Sequence, residues 1–174
     1  IQIDLKDESQ IKNASSNILS SNSYIDNLVN YAATIHTALF PMTSIKKLKE
    51  VFETDFFYQT LFSQYIFKSM IKKKSGSILY ISSSSALDGD EGRSAYASAK
   101  AAMIAQAKVL SREVGIYNIR VNAIAPGLTN TDMMKKNTPE EILNEVTSRI
   151  SLKRIANPEE IANVALLLSS DLSS

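Results

Sequence analysis

The sequence predicts an α/β fold, a parallel sheet covered on both faces by helices. Three observations carry that expectation. Short apolar runs alternate with helical segments through all 174 residues. The runs read as apolar stretches rather than strict alternation, as in strands buried on both faces. No internal repeat, low-complexity tract or Pro/Gly-rich linker interrupts the pattern. Residues 1–174 therefore read as a single domain of ordinary size.

The elements follow in order. "IQIDL" (1–5) reads as a short strand. In 7–21, Ile11, Ala14, Ile18 and Leu19 recur at helical spacing. "YIDNLVN" (24–30) reads as a second strand, followed by a loop containing Pro41. Residues 44–74 read as two helices or one bent helix, with Ser44 as N-cap. "GSILYIS" (76–82) is a third strand, and 83–93 is loop, punctuated by Gly89 and Gly92. A long helix over 95–115 stops at Gly115. "NIRVNAIA" (118–125) is a fourth strand, ended by Pro126-Gly127. Helices are expected over 138–150 and 157–170, each with proline at the first position after a capping residue, Thr138 or Asn157. A chain that opens inside a strand, without methionine, reads as a fragment.

Composition narrows the function classes. The net charge of +1 points to neither nucleic acid nor an acidic partner. There is no cysteine, hence no disulfide or thiolate metal site, and a reducing, cytoplasmic setting fits. His36 is the single histidine, and no carboxylates cluster at ligand spacing, so no metal is expected. His36 itself reads as a solvated loop residue. No apolar run approaches the roughly 20 residues of a membrane span.

In open parallel sheets, ligands bind beyond the carboxyl ends of the strands. That rule selects the loops at 30–40, 82–95 and 125–137. Tyr96 and Lys100 lie four apart in "SAYASAK", so they share a helix face. A phenol has an unperturbed pKa near ~10. A lysine cation beside it would favour phenolate and lower that value. The phenol could then give a proton to a developing alkoxide or take one from an alcohol. A serine hydroxyl from the run Ser82–Ser85 could hold the same oxygen. The hydride such a reaction needs must come from a cofactor. Spacing alone favours a solvated surface pair.

The wider pattern resembles the short-chain dehydrogenase/reductase family, in particular its 3-oxoacyl-acyl-carrier-protein reductase-like members. "GSILYISSSS" resembles the strand leading to the family's catalytic serine, and "YASAK" its Tyr-x-x-x-Lys motif. "IRVNAIAPGLTNTDM" resembles its Asn-x-x-x-Pro-Gly segment and following threonine, "IDNLVNYAA" its "Leu-Val-Asn-Asn-Ala-Gly" strand, and "RIANPEEIANVALLLSSDLSS" its penultimate helix. The resemblance implies a Rossmann-like doubly wound sheet, here truncated at both ends. It implies NAD or NADP as cofactor and a homodimer or homotetramer. It makes Tyr96 the acid/base, Lys100 the residue that tunes Tyr96 and holds the nicotinamide ribose, and Ser83 the catalytic serine. Pro126, Gly127, Thr129 and Thr131 match the segment at the nicotinamide end. Asp4 matches an acidic residue approaching the adenine, and Asn30 and Ala32 match the segment bordering its ribose.

Three departures accompany the resemblance. The family's glycine-rich first turn, with the βαβ unit around it, would lie within a stretch of roughly 50 to 70 residues preceding "IQIDL" by usual element lengths, and its last strand would follow Ser174. Asp55 stands where the family usually has a catalytic asparagine, and its charge would offset Lys100 and raise the tyrosine pKa. Tyr31 and Ala33 replace the second Asn and the Gly of "Asn-Asn-Ala-Gly". The expected function is an NAD(P)-dependent interconversion of a carbonyl and a secondary alcohol, by analogy on a 3-oxoacyl thioester. The alternative is a non-catalytic remnant of the same family that binds no dinucleotide. Phe56, Phe57, Phe62, Tyr65 and Phe67 are expected in the core or a subunit interface, and Lys72–Lys74 at a solvated helix end.

Overall fold

The computed structural model describes residues 1–21 and 24–174. Helix α1 (Glu8–Ser21) precedes strand β1 (Asn27–Asn30). Helix α2 (Ile45–Phe52) runs through a π-helical segment (Glu53–Phe57) into α3 (Tyr58–Lys73). Strand β2 (Gly76–Ile81), short helix α4 (Ser85–Asp88), long helix α5 (Ser94–Val114) and strand β3 (Ile119–Ile124) follow. Helices α6 (Asp132–Asn137), α7 (Glu140–Arg149) and α8 (Pro158–Ser169) close the chain.

The three strands form one parallel sheet in the order β1-β2-β3. The central strand β2 is buried from Ser77 to Ile81. Side chains alternate faces along a strand. Ile78 and Tyr80 therefore share one face, where they pack with Ile66 and Met70 of α3 and Met103 and Ala107 of α5. Ser77 points to the other face, where its Oγ donates to the Leu168 carbonyl of α8 at 3.2 Å. Both faces are thus covered, which is why β2 carries no polar alternation. On β3, Arg120 ties down the end of α8, its guanidinium donating to the carbonyls of Leu168 (2.6 Å) and Ser170 (3.0 Å).

Local sequence accounts for most of the elements. Ser44 caps α2, its Oγ accepting the Lys47 N–H at 3.2 Å. The expected bend in 44–74 is the π segment, a form frequent at functional sites. Phe56, Phe62 and Phe67 pack on the core, whereas Phe57 is half exposed. At the end of α3, Lys74 takes a left-handed conformation (φ 57°), and Lys73 pairs with Asp26 while its ammonium sits 3.5 Å from the Tyr24 ring centroid. That lysine is therefore engaged rather than merely solvated.

Four expectations change. Residues 1–5 form no strand: strands are held by pairing, and these residues instead enter a turn, with Asp4 O accepting Asp7 N–H at 3.1 Å and Asp4 Oδ1 accepting Lys6 N–H at 2.9 Å. The stretch 83–93 is not all loop, because Ser84 O accepts from Leu87 and Asp88 and starts α4. Gly115 remains right-handed, and the chain leaves the helix one short 3₁₀ turn later at Asn118 (φ 56°). Thr138 is extended and follows α6, so α7 starts past Pro139 rather than on it.

Met70 is fully buried between α3 and the sheet. Met70→Ala is expected to lower unfolding free energy by about 2–5 kcal/mol, against about 0.5–2 kcal/mol for Ser44→Ala. Urea midpoints at constant m-value check this order. Equal shifts would mean that the α3–sheet contact is not the main core.

Candidate active site

Strands β2 and β3 end side by side, with Ile81 opposite Ile124. Just past them the Ser82 N–H donates to Ile124 O at 2.7 Å, and the Ser84 N–H to Pro126 O at 2.9 Å. The serine run is thereby stitched to the loop that carries Pro126 and Gly127. Ser82 Oγ donates to the Lys100 carbonyl at 2.8 Å, so that hydroxyl is structural. Ser83 is half buried, and its Oγ donates to Ser85 Oγ at 3.3 Å and accepts the Ser85 N–H at 3.2 Å.

Tyr96 and Lys100 occupy the first turns of α5 and are 8% and 1% exposed. This excludes the solvated surface pair. Lys100 Nζ donates to the Ile81 carbonyl at 2.8 Å, touches Met103 Sδ at 3.7 Å and lies 5.8 Å from the Tyr96 ring centroid. Burial pushes its pKa down, and the Asp55 charge holds it up. Asp55 comes from the π segment and is fully buried. Its Oδ1 accepts the Thr34 N–H at 2.7 Å, and its Oδ2 has no partner among the described residues. Burial raises the Asp55 pKa to about 6, against the opposing pull of the Lys100 ammonium and the Thr34 N–H.

Burial also raises the Tyr96 pKa. Hydrogen bonding by Ser83 pulls it down, the Asp55 charge raises it, and Arg93 and Asp90 act with opposite signs. The expected lowering by Lys100 is therefore overturned in direction: desolvation of the phenol is the largest cause, and the ammonium is committed to Ile81. The expected effect of Asp55 has the right sign but ranks below burial and Ser83.

The remaining candidates separate into those at the strand ends and one that is not. Asn30 is buried, and its Nδ2 donates to Ser63 Oγ at 3.0 Å, so its side chain serves the core. The Ala32 carbonyl accepts Gln59 Nε2 at 2.8 Å. Thr129 Oγ1 donates to Gly127 O at 3.0 Å, and Thr131 caps α6 by accepting the Met134 N–H at 3.2 Å. Asp4 is exposed in the turn before α1, where its charge acts on Tyr58. No contact among the described residues brings it to the Tyr96 cluster. Tyr31 is 68% exposed, so its bulk lies outside the packed site. His36 is only partly exposed, with its Nε2 buried and without a partner among the described residues, so it is not simply solvated.

Sequence reasoning missed two polar residues. Gln59, at the start of α3, bridges Ala32 O and Thr54 O, and nothing in its spacing announced that. Asp90 accepts a hydrogen bond from Ser85 Oγ. The flanking Gly89 and Gly92, both at φ 75°, were the available signal of a sharp turn there.

Asp55 gives a testable pH dependence. Its pKa is higher folded than unfolded, so its stabilising contribution is complete below pH ~4 and is lost as pH rises through about 6. Asp55→Asn has no such titration. The stability of the Asn variant relative to wild type is therefore expected to grow between pH 4 and 7 and then level off. Urea unfolding of both proteins across that range checks it, and a constant difference would contradict a buried, proton-holding Asp55.

Comparison with known proteins places this geometry. The family model described as Enoyl-(Acyl carrier protein) reductase matches residues 1–174. The 3-oxoacyl-[acyl-carrier-protein] reductase of Chlamydia trachomatis is 38% identical over 172 residues, covering 99% of this chain and 69% of the relative. That of Thermotoga maritima is 36% identical over 172 residues, covering 99% and 70%. A crystal structure of a short-chain dehydrogenase/reductase from Burkholderia xenovorans superposes with a TM-score of 0.92 at 25% identity, covering 99% of this chain and 67% of that one. Among the described residues no helix is long and apolar enough to cross a membrane. The sheet, the Ser–Tyr–Lys cluster at its carboxyl end and these relatives together show that the chain belongs to the short-chain dehydrogenase/reductase family, as a 3-oxoacyl-acyl-carrier-protein reductase-like, NAD(P)-dependent oxidoreductase.

Proposed function

We propose that the chain interconverts a ketone and a secondary alcohol on a 3-oxoacyl thioester, as one domain, with Tyr96 as the proton donor and acceptor. The observation that carries this reading is the convergence of Tyr96, Lys100 and Ser83 beyond the carboxyl ends of β2 and β3, with Asp55 buried beside them. The names of the Chlamydia trachomatis and Thermotoga maritima relatives support the substrate class.

The residues present fit the nicotinamide end of a dinucleotide. An ammonium has three N–H donors, and Lys100 directs them to Ile81 O and Met103 Sδ, with one unused among the described residues. That donor suits a ribose hydroxyl. A Cβ added at Gly127 would meet nothing within 4 Å, so the loop leaves open space at the strand ends. When bound, NADH or NADPH supplies the hydride. The chain's own groups do the rest. The hydroxyls of Ser83 and Tyr96 hold the substrate oxygen, and Tyr96 gives it a proton as charge develops there. The raised Tyr96 pKa keeps the phenol protonated and ready for reduction. Asp55, with Oδ1 held by Thr34, restrains the buried charge of Lys100 through space. We further propose a homodimer or homotetramer; the exposed Val109 of α5 and Phe57 before α3 suit a second copy.

The test is NADH- and NADPH-dependent reduction of acetoacetyl-coenzyme A. Tyr96→Phe is expected to lower kcat by roughly 10²–10⁴-fold with cofactor binding retained. Retained turnover would remove Tyr96 from the chemistry. A wild-type protein that binds neither cofactor would favour the non-catalytic remnant.

A further inference from the structure

One cation beside the site has nothing to hold. Arg93 is the half-buried residue that opens α5, and its backbone is pinned at both ends. Its N–H donates to Asp90 O at 3.1 Å, and its carbonyl accepts the Ala97 N–H at 2.8 Å. The preceding Gly92, at φ 75°, accepts the Ala38 N–H at 2.8 Å. A Cβ on Gly92 would lie 3.5 Å from Thr37 Cγ2, so the loop after β1 closes against this turn. A guanidinium has five N–H donors, yet among the described residues that of Arg93 makes no hydrogen bond or ion pair. Asp90, three residues earlier, gives its carboxylate to Ser85 Oγ instead. A partly desolvated charge without a partner is costly, and here the backbone that carries it is fixed.

The position is next to the Tyr96 phenol. Residues three apart on a helix are surface neighbours, roughly 5–6 Å between Cβ atoms. Helical side chains also lean toward the N-terminus, so Tyr96 leans back over the turn that Arg93 opens. The Arg93 charge is felt at the phenol, where it favours the phenolate.

Resting on the reading of this site as a 3-oxoacyl thioester reductase, we propose that Arg93 is a substrate-binding residue that donates to the thioester carbonyl oxygen, at C1, while Tyr96 and Ser83 hold the C3 oxygen. A 3-oxoacyl group carries its carbonyls on alternate carbons, so two donors one helical turn apart can serve both oxygens. The planar fork of a guanidinium suits such an oxygen better than an ammonium does. Holding C1 leaves C3 as the carbon presented to Tyr96. It also selects against ketones that lack the second carbonyl, because a site built to hydrogen-bond an oxygen is left unpaired by an analogue without it.

The test compares acetoacetyl-coenzyme A with S-(3-oxobutyl)-coenzyme A, in which a methylene replaces the C1 carbonyl. Both carry the same ketone and the same coenzyme A phosphates, so a general loss of positive charge moves both alike. Turnover is read with NADH and NADPH, and binding of each ligand by calorimetry. Arg93→Gln removes the cation, and Arg93→Lys keeps the charge without the fork. Arg112→Gln removes an exposed charge at the far end of α5.

Arg93→Gln is expected to lower the wild-type preference for acetoacetyl-coenzyme A, as the ratio of kcat/KM values, by roughly 10–100-fold. The loss should appear in KM, since C1 does not react and its contact is common to ground and transition states. Arg93→Lys should fall between, and Arg112→Gln should keep the wild-type ratio. If Tyr96→Phe abolishes turnover while Arg93→Gln keeps the ratio, or weakens both ligands equally, the Arg93 assignment is overturned and the reductase reading stands. If wild type turns over neither ligand but binds acetoacetyl-coenzyme A the more tightly, and Arg93→Gln removes that preference, the assignment stands and the reductase reading falls. A wild type with neither turnover nor preference overturns both. Urea midpoints check that the variants are folded; should Arg93→Gln not fold, Arg93→Lys and the wild-type preference decide in the same way.

Discussion

The site is organised by one demand, the satisfaction of a buried ammonium. Lys100 is almost completely buried, and a desolvated charge is tolerated only with hydrogen bonds or a compensating charge. Its Nζ bond to the Ile81 carbonyl joins α5 to the last residue of β2. The adjacent bond from Ser82 Oγ to the Lys100 carbonyl joins the same two elements in the opposite sense. With helix and strand end locked together, Tyr96 one turn earlier must overhang the serine run, and the Pro126 loop is drawn to it through Ser84. Remove the ammonium and the orientation of the whole cluster has no fixed reference.

The second charge in the site, Asp55, shows how such a demand propagates. It is fully buried and makes no direct salt bridge with Lys100 among the described residues, yet the two influence each other through space. Burial drives each toward its neutral form, the carboxyl upward and the amine downward in pKa. An amide in place of Asp55 would feel no such pull. The π segment matters here because its extra residue per turn re-aims the side chains between α2 and α3 and turns Asp55 inward. Its Oδ1 then holds the Thr34 N–H, so the loop after β1 is tied to the same centre.

Much of this was legible in the sequence, for a local reason. The strands at 24–30, 76–82 and 118–125 are short, largely apolar runs set between helical segments, and each is present within a few residues. "IQIDL" has the same texture and is not a strand, because strand formation needs a hydrogen-bonding neighbour and local composition does not supply one. The Ser44 cap depends only on residues three apart, and it holds. The stop at Gly115 looked equally local, but glycine permits a left-handed turn without requiring it, and Asn118 made the turn instead.

By itself the sequence determined the class of fold and the family, and it singled out Tyr96 and Lys100 as the proposed proton-transfer pair, because the two are linked by helix geometry and the motifs around them are contiguous. Tertiary structure decided the rest. It decided that Lys100 is buried and bonded to Ile81, so that the phenol's pKa is raised by desolvation rather than lowered by the cation. It turned the Asn30 side chain to Ser63. It also chose among four chemically identical serines, making Ser82 a brace, Ser84 a backbone tie, and Ser83 a hydrogen-bond partner of Ser85, which in turn donates to Asp90. Those outcomes depend on distances across elements and on exclusion of water, and neither quantity is defined until the helices close over the sheet.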